Sequence, residues 1–138
     1  LIKNRTHITD YCSLITDYFK KMKTHHDLDV WKKSITLVTD IYRVTESCPK
    51  SELYGLTSQI RRCAVSVPSN ISEGAARTST KEFSYFLSIT LGSISELETQ
   101  LIISNNLEYL PKTDFDYLIE NLRIIRKMTV GLKNPFQK

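Results

Sequence analysis

The side chains best placed to do chemistry in this sequence fall on one stripe. Gln59, Arg62, Ser66, Asn70 and Glu73 follow one another at steps of three, four, four and three, so on a helix they share a face. Further along, Ser93, Glu96 and Gln100 repeat the pattern at three and four. Facing one another, the two stripes would cross-link their helices, with Arg62 to Glu96 the evident ion pair and Gly92 allowing close backbone approach. Two readings are open. Partly buried polar groups must be paired, so the stripes can fix helix register and penalise mispacking. Alternatively, Arg62 and Asn70 can hold a ligand or an RNA phosphate.

Catalytic arrangements are poorly supported. A thiol nucleophile would need Cys48 or Cys63 beside a histidine, but His7, His25 and His26 all lie outside the apolar seams. Cys63 falls in phase with apolar neighbours and reads as a small core residue. His25 and His26 are adjacent, so on a helix they diverge instead of forming an i, i+4 metal pair. Glu73, Glu82, Glu96 and Glu98 lack the Glu-x-x-His companions of a di-iron bundle. Neither a P-loop nor a G-x-G-x-x-G occurs. The expectation is a protein that is not an enzyme, with no catalytic residue, metal, cofactor or small-molecule substrate.

Basic residues cluster. Arg61 and Arg62 adjoin, Arg77 and Lys81 flank a turn, and Arg123, Arg126 and Lys127 lie together with Lys133 beyond; Lys32, Lys33 and Arg43 sit near the start. Each cluster alone reads as a solvated face. Together, in a chain of formal charge +4, they can track a phosphate backbone if the fold or an oligomer gathers them. No aromatic stacking motif accompanies them, so single-strand base readout is not indicated. Arg61, pointing away from the polar stripe, reads as the better partner contact.

These residues need elements to hold them. A chain of 138 residues reads as one domain with room for a core. Only 4 Gly and 4 Pro occur, which favours helices over many short strands. Three widely spaced cysteines suit reduced thiols in a cytoplasm. No apolar run reaches the roughly 20 residues a bilayer demands, and the start has acids where a signal peptide needs apolar residues.

Helical spacing begins at Asp27. Leu28, Trp31, Ile35, Val38, Tyr42 and Thr45 form a first seam, widened by Ile41, until Pro49 stops it and Ser51 caps the next helix. The second helix carries Leu53, Leu56, Ile60, Cys63, Val67 and Ile71. Pro68 interrupts it at a cost of about 3 kcal/mol in an unadapted helix. The stripe stays in step, so the expectation is one helix kinked near Pro68, with Ser66 or water satisfying the Ala64 carbonyl and an end near Gly74. Ser79 and Glu82 form a capping box for the third helix, whose Phe83, Leu87, Thr90, Ile94, Leu97 and Leu101 hold a regular seam. Phe86, Ile89, Leu91 and Ile102 widen its apolar surface, for broader burial or for another subunit. Thr113 or Asp114 caps a fourth helix with Phe115, Leu118, Leu122, Ile125 and Leu132. The fold class is all-α, an antiparallel up-down-up-down four-helix bundle over residues 22–138. Residues 1–21 stand apart. Met22 fits a native start, so they read as an upstream-extended frame or as an extra helix lined by Ile8, Cys12, Ile15 and Phe19.

One further signal is the wording of the sequence itself. "DLDVWKKSITLVTDIY", "LTSQIRRCAVSVPSNISEGAAR" and "KEFSYFLSITLGSISELETQL", with a closing "GL", resemble the four-helix-bundle family encoded in intervening sequences of 23S ribosomal RNA genes. The resemblance runs in order from Asp27 to about Leu132. Within it, Cys63 and Val67 stand where Ala and Ile are expected, and Ala75 where a larger residue is frequent. It also extends to the accessory variability proteins of diversity-generating retroelements. What it implies is a ring-like homopentamer that binds RNA, or an accessory scaffold that docks a partner such as a reverse transcriptase. Arg61, Arg62, Arg77, Lys81, Arg123, Arg126 and Lys127 become the candidate RNA contacts.

Overall fold

The computed structural model describes residues 24–134 together with Ser13, Leu14 and Asp17. The apolar periodicity becomes four α-helices: α1 (Asp29–Thr45), α2 (Leu56–Ala75), α3 (Thr80–Asn106) and α4 (Lys112–Lys133). Short 3-10 turns, His25–Asp27 and Lys50–Glu52, precede the first two. No strand occurs among the described residues. α1 packs on α2 and α4, α2 on α3, and α3 on α4, the ring of neighbours expected of a four-helix bundle. The reading of residues 1–21 lies outside the described residues apart from the three named.

α3 follows its sequence pattern closely. Phe83, Leu87, Thr90, Ile94, Leu97 and Leu101 are all buried, and the Thr90 hydroxyl donates to the Phe86 carbonyl at 2.9 Å. Ser79 is the N-cap, its Oγ accepting from the Glu82 amide at 3.2 Å. The capping box closes differently from expectation. Its second bond runs from the Ser79 hydroxyl to the Glu82 carboxylate at 2.8 Å, not from the serine amide.

α1 keeps part of its expected seam, with Leu28, Ile41 and Thr45 buried and Trp31 and Val38 packed against the core, but its buried face is shifted. Ile35 and Tyr42 are 40% and 43% exposed, while Val30, Leu37, Ile41 and Val44 enter the core. The reason lies in buried polar residues, of which the expected seam included Thr45 but passed over Ser34 and Asp40. Ser34 and Thr45 are buried because their hydroxyls donate to the Trp31 and Ile41 carbonyls, each at 2.7 Å. Asp40 is buried because two side chains satisfy it, as described below.

Three expected details at the ends and middle of helices change. Ser51 lies in the 3-10 turn, and α2 instead starts at Leu56, whose amide donates to the Glu52 carboxylate at 3.0 Å. α4 starts at Lys112 after Pro111, with no side-chain cap from Thr113 or Asp114. α2 runs unbroken through Pro68, but Ser66 does not reach the Ala64 carbonyl. Its hydroxyl donates to the Cys63 carbonyl at 2.6 Å, and Asn70 Nδ2 donates to the Ser66 carbonyl at 2.8 Å. Buried Val67 and Ile71 flank the proline. Each contributes about 1.5–3 kcal/mol by burial, enough together to offset the proline's cost.

The glycine that allows close approach is Gly74, not Gly92. A Cβ at Gly74 would lie 2.6 Å from Phe86 Cβ and 3.0 Å from Phe83 Cδ2, whereas one at Gly92 would meet nothing within 4 Å. Gly74→Ala should therefore lose about 1–3 kcal/mol of stability through overpacking against a rigid backbone-proximal atom. Gly92→Ala should gain about 0.5–1 kcal/mol from helix propensity. Urea denaturation of both variants measures the difference, and equal effects would contradict the assignment.

Candidate nucleic-acid interface

The two polar stripes do face each other. Gln59, Arg62, Cys63 and Ser66 of α2 and Ser93 and Glu96 of α3 line an open groove of about 450 Å³. The expected Arg62–Glu96 ion pair is absent among the described residues. Glu96 instead accepts from Gln100 Nε2 at 3.2 Å on its own helix, and Arg62 is exposed. Asn70 bonds along α2, and Glu73 pairs with Arg77 at 2.9 Å. The direct bond across the groove comes from Cys63, whose thiol donates to the Ser93 carbonyl at 3.2 Å. Among the described residues, Gln100 Oε1 and Ser104 Oγ are buried and find no hydrogen-bond partner. Burial, reinforced by Glu96, pushes the Cys63 thiol up to about 11, so it stays protonated and makes a poor nucleophile.

Register is held by residues the stripe did not include. The buried Asp40 carboxylate on α1 accepts from the Tyr117 hydroxyl of α4 at 2.8 Å and from Arg43 at 2.6 Å. Arg126 of α4 donates to Ser95 Oγ at 3.2 Å and pairs with Glu98 of α3 at 3.0 Å. Arg61 of α2 donates to Thr45 Oγ1 at 2.9 Å and to the Tyr42 carbonyl at 3.3 Å, with its guanidinium 4.8 Å from the Tyr42 ring. The one sequence signal for Asp40 was its phase: an acid three residues after Leu37 and four before Val44 sits on the core face.

The seven candidate cations therefore divide. Arg61 is engaged at the end of α1, which reverses its expected outward role with that of Arg62. Arg126 is tied between α3 and α4. Arg77 pairs with Glu73 and stacks on Phe86, and Arg123 lies 3.9 Å from Glu120. Arg62, Lys81 and Lys127 are exposed and form no ion pair among the described residues. They stand in three places, on α2, at the start of α3 and on α4. No three His, Cys, Asp or Glu side chains among the described residues group to hold a metal ion. Nor, among the described residues, is a helix long and apolar enough to cross a membrane.

The Asp40–Tyr117 bond makes a pH-dependent prediction. The hydrogen bond to the Asp40 carboxylate, aided by its charge, raises the Tyr117 phenol above its ordinary 10.0. The folded state thus holds this proton more tightly than the unfolded chain. The bond's contribution is present below pH about 10 and is lost as pH rises through the raised value. Denaturation midpoints should fall across this alkaline range more steeply for the natural chain than for Tyr117→Phe; parallel curves would contradict the linkage.

Comparison with known proteins adds a frame to this geometry. A family model described as 23S rRNA-intervening sequence protein matches residues 26–131. A crystal structure of a protein of unknown function from the S23 ribosomal protein family of Bacteroides thetaiotaomicron aligns with a TM-score of 0.70 at 22% identity. The alignment covers 75% of this chain and 97% of that one, a likeness of fold. No curated protein matches the sequence.

Proposed function

This chain belongs to the family of 23S rRNA-intervening sequence proteins, and we propose that it is a non-enzymatic, homo-oligomeric bundle that binds structured RNA through unpaired surface cations. The observation that carries the reading is the set Arg62, Lys81 and Lys127, exposed and without an intramolecular acid among the described residues. Such cations gain most from a phosphate backbone, because binding releases its condensed counterions and breaks no existing pair. Arg77 and Arg123 can join them, since their exposed pairs contribute only about 0–1 kcal/mol. Arg61 and Arg126 hold helices instead. The family's name makes ribosomal RNA the first target to test.

Assembly multiplies each set of cations. Tyr85, Ile102 and Ile103 on α3 are 63%, 43% and 42% exposed, apolar area that supports contact between copies, with the pentamer implied by the resemblance as the expected number. Within each copy the helices run up-down-up-down. Arg61 near the start of α2 meets the end of α1, and Gly74 near its end meets the start of α3. Cys48 after α1 lies 4.0 Å from the Tyr109 carbonyl before α4. A bend at Pro68 belongs to the same reading, as does a cytoplasmic setting with reduced thiols. A second reading, a scaffold that docks a partner protein such as a reverse transcriptase, draws on Tyr54, 94% exposed beside the 45% exposed Leu53.

Filter binding with 23S rRNA fragments separates the two. Three phosphate contacts should weaken binding roughly 40-fold between about 50 and 200 mM salt. Combined Arg62→Ala, Lys81→Ala and Lys127→Ala should weaken it and flatten that dependence. No retention even at low salt, or a triple variant indistinguishable from the natural chain, removes the RNA reading. Light scattering of the same samples gives the number of copies.

A further inference from the structure

The groove between α2 and α3 holds two opposite charges that do not pair. Arg62 stands on one wall and Glu96 on the other, with the buried Cys63 thiol at the floor. Neither has an ion-pair partner among the described residues. Opposite charges on facing helices ordinarily close on each other. Glu96 is held to its own helix instead. Gln100 Nε2 donates to its Oε1 at 3.2 Å, and Gln100 is itself only 7% exposed.

That hold is costly to the fold. With its amide nitrogen committed to Glu96, Gln100 keeps its Oε1 buried with no partner among the described residues, and an unmet acceptor in the interior carries its full desolvation penalty. Unmet polar groups of this kind mark places where function overrides stability. At about 450 Å³, the groove lies within the roughly 300–1,000 Å³ of small-molecule sites.

A ligand that satisfies both walls needs an anionic end for Arg62 and a donor edge for Glu96. A nucleotide has the first in its phosphate, which an arginine can grip with two parallel bonds. Among the four RNA bases, guanine alone has the second. Its N1–H and N2–H donors are adjacent and match the two oxygens of a carboxylate. Adenine and cytosine set one amino group beside an acceptor nitrogen, and uracil sets one N–H between two carbonyls, so each turns a lone pair toward Glu96. Each carboxylate oxygen accepts twice, so the Gln100 bond leaves room for the base. Among the described residues no aromatic ring lines the groove, so the base is read at its edge and not by stacking.

We propose that this groove binds a guanosine phosphate, with Glu96 accepting from N1–H and N2–H, Arg62 on the phosphate, and Gln100 positioning Glu96. The source, an unpaired guanosine in structured RNA, rests on the RNA reading above; a free guanine nucleotide carries the same chemistry.

The test measures binding of the full chain to one hairpin RNA carrying a single bulged guanosine, inosine, adenosine or uridine. Guanosine should bind roughly 5- to 150-fold more tightly than adenosine or uridine, the span of one bidentate base contact. Inosine, which lacks the N2 amino group, should fall between. Glu96→Gln should bring the four hairpins close together and leave the salt dependence, set by phosphates, unchanged. Gln100→Leu should keep or raise the urea midpoint and still narrow the guanosine preference; an unchanged preference overturns its positioning role. Four hairpins bound alike by the natural chain overturn the guanosine site and leave the RNA reading standing, a result that needs no variant to fold. If no hairpin binds, while calorimetry shows guanosine 5′-monophosphate bound by the natural chain and not by Glu96→Gln, the RNA reading falls and the site stands. Binding of neither overturns both.

Discussion

The approach of α2 to α3 at Gly74 is the constraint on which the rest of the bundle hangs. With no side chain there, the end of α2 settles against Phe83 and Phe86, and the 27 residues of α3 can lie along α2 as one packed pair. α4 then fastens to α3 through Arg126, and α1 closes the ring through Asp40 to Tyr117 and Thr45 to Arg61. The polar groove is a product of the same pairing. Below the level where Gly74 draws the two helices together, Ser66 and Ser93 border a gap that the Cys63 thiol bridges.

How far the sequence foretold this depends on the element. The apolar seam of α3 was legible, because its residues recur in phase and Thr90 among them bonds to its own helix; the burial of Gln100 and Ser104 on the same helix was not. α1 was legible as a helix but only partly in phase, since Ile35 and Tyr42 of its expected seam are exposed. Ser34 and Asp40 join the expected Thr45 on the core face, and both are tolerated there only through a bond that a pattern of apolar residues cannot express. The groove residues were legible as a set, since phase alone places Gln59, Arg62, Ser66, Ser93 and Glu96. Their bonds were not. Arg61 and Arg62 differ by one step of 100°, and only the position of Thr45 on a neighbouring helix makes the first a structural link and leaves the second unpaired. Gly74 and Gly92 are likewise alike in sequence context and separated only by what lies opposite.

The distribution of charge follows a comparable division of labour. Cations at helix-helix seams, Arg61 and Arg126, bond to hydroxyls, a carbonyl and an acid that are fixed by packing. Those on outward faces have flexible acids beside them or none. The chain belongs to the family described as 23S rRNA-intervening sequence protein, and its outward cations Arg62, Lys81 and Lys127 stand on three different helices.

The Arg61 link also relieves the connector between α1 and α2 of mechanical duty. Its bonds to Thr45 and Tyr42 join the two helices directly, while Tyr54 in the connector is almost wholly solvated. Loop closure grows only logarithmically, by about 0.6 kcal/mol for each doubling of length. This corner of the bundle is therefore where extra chain, an epitope or a fluorescent label is accommodated most cheaply, provided Glu52 keeps its place at the start of α2.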